Sequence, residues 1–120
     1  MRETVRYATC ITFLLGAHAA LACDYPAQAP EVPNGSTARQ DEMIEGQKGV
    51  KKYVADIEAY LECIVAEEKA ARAEIEDLKP EDEQQREDTL TKKYNAAVDE
   101  MEEVAARFNV EVQAFKNRDN

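Results

Sequence analysis

The sequence predicts an all-α fold: an antiparallel two-helix coiled-coil hairpin with an extended Pro-rich N-terminal arm disulfide-linked to helix 1. Three observations carry that expectation. Apolar residues from Met43 to Leu78 recur in steps of three and four, the spacing of a heptad seam. Pro80, followed by Glu81, Asp82 and Glu83, divides that run from a second one and suits the first turn of a new helix, where proline is tolerated and acids oppose the positive end of the dipole. Prolines at 26, 30 and 33 keep the stretch before the first run extended.

The first element, residues 1–22, reads as a cleaved export signal. Arg2 and Arg6 precede a largely apolar run from Cys10 to Ala22, and Ala20-Leu21-Ala22 is an A-x-A cleavage site. The run is about 13 residues and includes His18, too short for a permanent membrane helix of about 20. Cleavage leaves Cys23 at the new terminus. A cysteine there is also what a bacterial lipoprotein carries, although Ala20 stands where its motif prefers leucine. One sulfur cannot hold both a lipid and a disulfide, and the disulfide is the reading taken.

Residues 23–36 form the arm and end in a turn at Asn34-Gly35. Thr37 and Gln40 match a capping box, so helix 1 is expected over about 37–78, within a hairpin spanning 37–120. Its seam is Met43, Val50, Val54, Ile57, Leu61, Ile64, Ala71, Ile75 and Leu78, interrupted by Gln47 and Glu68. A bend near 78–82 leads to helix 2, about 80–117, with Leu90, Tyr94, Ala97, Met101, Val104 and Phe108 on its seam. Antiparallel pairing of positions whose numbers add to about 158 sets Val50 against Phe108, Val54 against Val104 and Leu61 against Ala97; a one-heptad slip, to about 165, also matches but lengthens the loop.

A second stripe runs beside the seam: Gly46, Gly49, Tyr53, Asp56, Tyr60 and Cys63. Glycine inside a helix costs about 1 kcal/mol relative to alanine, so two at this spacing imply that another backbone lies close. The arm is the candidate. Helix from Thr37 to Cys63 rises about 39 Å, and the 14 residues from Cys23 to Thr37 in polyproline geometry reach about 43 Å. An arm folded back over Gly46 and Gly49, its prolines against Tyr53 and Tyr60, brings Cys23 to Cys63, and in an oxidising compartment these two pair.

Composition excludes several chemistries. The 120 residues carry 15 basic and 25 acidic side chains, and without the signal the net charge is about −11. Such a surface disfavours nucleic acid. The single histidine, His18, lies in the signal, and tryptophan is absent. A serine triad, a cysteine–histidine pair and an imidazole zinc site are therefore excluded from the mature chain, and no enzyme activity, cofactor or metal is expected. The acids between 74 and 88 lack calcium-loop spacing and read as a solvated tip. Glu68 on the seam reads as a group reaching solvent or meeting Lys92 or Lys93. Tyr53, Tyr60 and Tyr94 read as packing aromatics, and the Asn34-Gly35-Ser36 sequon as a turn.

Cys23-Asp24-Tyr25-Pro26, the arm to Pro33-Asn34-Gly35, Tyr60-Leu61-Glu62-Cys63, and Tyr94 to Met101 leading to Phe108-Asn109 together resemble a group of uncharacterised small exported helical proteins of Gram-negative bacteria. The resemblance spans most of the mature chain. It implies a periplasmic or envelope setting and brings no known activity.

The function expected from these readings is that of a non-enzymatic periplasmic or secreted protein, structural or interacting through its helical hairpin, with another protein or a second copy as partner. Apolar flanks at Ile44, Val65, Val98, Ala105 and Val112 need either the arm or that partner. No membrane contact is expected unless Cys23 is lipidated. The alternative is a periplasmic holdase-type chaperone, although the Leu-Thr-x-x-Gln motif of small stress chaperones is absent and Leu90-Thr91-Lys92-Lys93 is the nearest approach.

Overall fold

A computed structural model describes residues 23–118; the expected export signal at 1–22 lies outside the described residues. Two helices, α1 (Gln40–Ala73) and α2 (Pro80–Asn117), form an all-α hairpin with no strand among the described residues. By the rise of an α-helix they are about 51 and 57 Å long. The arm is joined to α1 by a Cys23–Cys63 disulfide, with Cα atoms 5.7 Å apart.

The N-terminus of α1 lies three residues beyond the expected Thr37. The reason is the turn before it: the Thr37 and Ala38 N–H groups both donate to the Asn34 carbonyl, at 3.2 and 2.8 Å, and Ala38 is buried. Arg39 therefore becomes the N-cap. Its backbone N–H donates to the Glu42 carboxylate at 2.7 Å, the acidic half of a capping box shifted by two positions from the Thr37–Gln40 pair.

α1 also ends early, at Ala73 instead of about 78. Glu74, Glu76 and Asp77 would place three negative charges on the negative end of the helix dipole, and Pro80 drives Lys79 into an extended conformation (φ −74°, ψ 148°). Ile75 and Leu78 thus belong to the connection and not to a helical seam. Shortening α1 moves the midpoint of the hairpin, and the pairs in contact (Gly46 with Phe108, Tyr53 with Glu100, Glu68 with Arg86) have numbers adding to about 154 in place of 158.

The core is Met43, Val50, Tyr53, Ile57, Leu61 and Ile64 of α1 against Ala97, Val104 and Phe108 of α2, with Ala38 below. Val54, Tyr60, Leu90, Val98, Met101, Val112 and Phe115 pack around it half-buried. Of the expected flanks, Val98 and Val112 are covered in this way, whereas Ile44 and Val65 are each 45% exposed. Arg118 closes the open end, its guanidinium 4.0 Å over the Phe115 ring and donating to the Ala38 carbonyl.

The arm runs antiparallel to α1 and parallel to α2. Pro33 lies over Gly46 and Pro30 over Gly49: a Cβ at Gly46 would come within 2.6 Å of the Pro33 ring, and one at Gly49 within 3.3 Å of Pro30. At the turn, a Cβ on Gly35 would meet the Glu111 carbonyl oxygen at 1.8 Å. The Gly35 N–H donates to the Glu111 carboxylate at 2.7 Å, which pins the turn to α2.

Gly35→Ala and Gly46→Ala should each destabilise the fold by about 1–3 kcal/mol, because backbone or a proline ring must move. Gly49→Ala should stay within about 0.5 kcal/mol of wild type, since the gain in helix propensity offsets a mild contact. Urea denaturation of the oxidised protein checks the order, and equal losses at Gly46 and Gly49 would contradict it. Cys23→Ser with Cys63→Ser should cost about 4 kcal/mol, the chain-entropy value for residues 40 apart, read as a lower urea midpoint.

Candidate functional site

Two regions bring side chains together: a clamp where the arm meets both helices, and the hairpin tip. The clamp is built around Glu100. Ala97 and Val104 on either side of it in α2 are fully buried, so Glu100, one helical turn from each, borders the core and faces the arm. Its two carboxylate oxygens accept separately, Oε1 from the buried Tyr53 hydroxyl of α1 at 2.8 Å and Oε2 from the Tyr25 hydroxyl of the arm at 2.5 Å. One carboxylate thus joins all three segments. Tyr25 stacks edge-on against Tyr60 with ring centroids 4.9 Å apart, and the disulfide lies two residues from Tyr25 along the arm.

The electrostatics follow from that arrangement. The Tyr25 and Tyr53 hydroxyls hold the Glu100 carboxyl below the ordinary glutamate range, against a smaller upward push from burial. Burial, reinforced by the bond to Glu100, raises Tyr25 far above an ordinary phenol, and the same two causes raise Tyr53. Glu100 is therefore a charged acceptor with both oxygens engaged by phenols that stay protonated. It holds the arm in place.

At the tip, Glu68 meets arginines and not the expected Lys92 or Lys93. Arg86 of α2 binds both its oxygens, Nε to Oε1 at 2.8 Å and the second guanidinium nitrogen to Oε2 at 3.1 Å, while Arg72 donates at 3.2 Å and also reaches Glu83 at 3.3 Å. Burial pushes Glu68 up, but the two guanidiniums outweigh it and the carboxyl rests below its usual range. This lattice ties the end of α1 to the start of α2. Among the described residues no cluster of histidine, cysteine, aspartate or glutamate is arranged to hold a metal ion.

Of the residues singled out in the sequence, Cys23 and Cys63 are joined, Gly46 and Gly49 lie under the arm, and Tyr53 and Tyr60 line the clamp. Tyr94 stands apart from them, exposed on α2. Glu100, Glu111 and Tyr25 were not anticipated as clamp residues. One signal was there: Glu100 and Glu111 are eleven residues apart, close to three turns, and so share the α2 face on which the arm lies.

Comparison with protein-family models, with curated proteins and with solved structures gives no match to this chain.

Glu100→Gln should lower stability at neutral pH by about 1 kcal/mol, below the usual range for bonds to charged groups because Tyr25 is solvent-accessible. The sign with pH follows from the depressed carboxyl. Its contribution is complete above the unfolded glutamate range and is lost as pH falls through that range into the folded value. Urea midpoints against pH should fall more steeply for wild type than for the variant, converging in acid; parallel curves would show that the Glu100 charge contributes nothing.

Proposed function

We propose that this chain is a non-enzymatic protein of an oxidising extracytoplasmic compartment, the periplasm or the exterior, whose stapled hairpin serves as a binding surface for another protein. The carrying observation is the Cys23–Cys63 bond joining the arm to a core in which, among the described residues, no charged side chain is buried and the Tyr53 hydroxyl is engaged by Glu100. A disulfide fits such a compartment, and an apolar interior keeps reactive groups on the outside, where they serve recognition. Support for export also comes from the three-part order of residues 1–22. The described helices are not long and apolar enough to cross a membrane. The Cys23 sulfur, being in the disulfide, is not available to a thioether-linked lipid.

A holdase reading draws on one specific feature, the large apolar side chains left exposed along the hairpin, Ile44, Val65, Ile75, Tyr94 and Val110. The surface of a holdase engages unfolded chains broadly, whereas a specific binding surface selects one partner.

Expressed with a C-terminal tag in a Gram-negative host, the protein should appear in the periplasmic fraction or the medium, begin at Cys23 on N-terminal sequencing, and show no free thiol when denatured. Cytoplasmic retention, or a free thiol at Cys63, would refute the export reading. Crosslinking in intact cells should yield one discrete adduct, and equimolar protein should leave aggregation of reduced insulin unchanged. A strict monomer by light scattering with no adduct would refute the binding reading, and strong suppression of aggregation would favour the holdase.

A further inference from the structure

The buried core stops well short of the tip. Beyond Ile64 on α1 and before Ala97 on α2 every described side chain is half-buried or exposed, although apolar residues continue through Ala71, Ile75, Leu78, Leu90 and Tyr94. The arm explains the difference. It supplies the third side of the core and is fixed at Cys63, one residue before Ile64, where the buried series ends. Past that point no third segment among the described residues lies over the two helices.

What remains there is an open cleft of about 590 Å³, with Ile64, Ala71, Ile75, Leu78 and Leu90 among its lining. Ile75 is 38% exposed, a β-branched apolar side chain held in the connection facing water. Glu67, Glu68, Asp77 and Asp82 border the cleft against Arg86 and Lys93, and the adjoining residues 74–88 hold eight carboxylates against two cations, Lys79 and Arg86. Arg86 is engaged by Glu68.

Resting on the binding role argued above, we propose that the tip cleft is the docking site, and that its occupant is a basic amphipathic helix of a partner protein, with apolar side chains seated between α1 and α2 and lysines or arginines against the acidic rim. Charge selects among the occupants. A second copy would bring eight acids against eight, and an anionic lipid surface or a nucleic acid meets the same repulsion. A cationic helix complements the rim and completes the layer that the arm leaves unfinished, in the helix-in-groove mode.

The test uses the full oxidised protein and a labelled peptide of about three heptads of leucine and lysine, with a leucine–glutamate peptide of the same pattern as control. Fluorescence anisotropy at about 0.15 M salt should show saturable binding of the lysine peptide only, weakening several-fold at higher salt. The decisive variant is Ile75→Asp with Leu78→Asp, which removes apolar lining while adding negative charge. Seating in the cleft predicts at least a tenfold loss of affinity; attraction to acidic surface alone predicts unchanged or tighter binding, which would overturn the proposal. Both residues lie outside the helices and the buried core, and a circular dichroism melt matching wild type verifies that the variant is folded. Should the double variant misfold, Leu78→Asp alone gives the same contrast. A crosslinked cellular partner that persists undiminished in the variant would overturn the tip site and leave the broader binding role standing.

Discussion

The arm held against α1 by the Cys23–Cys63 bond is the constraint on which the rest of the structure depends. Two helices packed only on each other have a single seam, and a chain of this size buries too little apolar surface along one seam to be secure. The arm gives the hairpin a third side without a third helix. Proline suits that role because extended chain with φ already fixed loses less entropy on docking, and the glycines of α1 suit it because the prolines need the space a Cβ would fill. The disulfide secures one end of the arm, the Asn34–Gly35 turn on Glu111 the other, and Glu100 the middle.

Much of this plan was legible because it depends on period and length. A heptad pattern, three prolines and two helical glycines each have one economical structural explanation, and the match between arm and helix length turned them into a pairing of Cys23 with Cys63. What was not legible depends on competition between nearby signals. Thr37 carried the only capping pattern read in the sequence, and the turn hydrogen bonds to Asn34 moved the helix start on to Arg39. The apolar pattern carried α1 to Leu78, but charge on the helix dipole ended it at Ala73. The clamp was hidden for another reason. A glutamate on an acidic helix looks like any other until the arm brings a tyrosine to it, and that contact spans 75 residues of sequence.

The two ends of the hairpin are built on different physics. The arm-covered end is held chiefly by apolar burial and a covalent bond, with the Glu100 and Glu111 carboxylates accepting from the arm. The tip is held by the Glu68–Arg86–Arg72–Glu83 lattice, whose outer members are solvent-exposed and screened by ions. Local opening therefore belongs to the tip, where contacts are few and electrostatic, while the arm end opens only with the whole molecule.

The sequence separations within the clamp also set an order of assembly. The tip contacts join residues 11 and 18 apart and close small loops, so the hairpin can zip from the connection outward. The arm's bonds to α2 join residues 75 and 76 apart and require both helices to be in place. Docking of the arm on α2 is thus a long-range event, whereas the two sulfur atoms, 40 residues apart, belong to the arm and α1 alone. Oxidation ties the arm along α1 and so shortens the loops that the Tyr25–Glu100 and Gly35–Glu111 contacts must close.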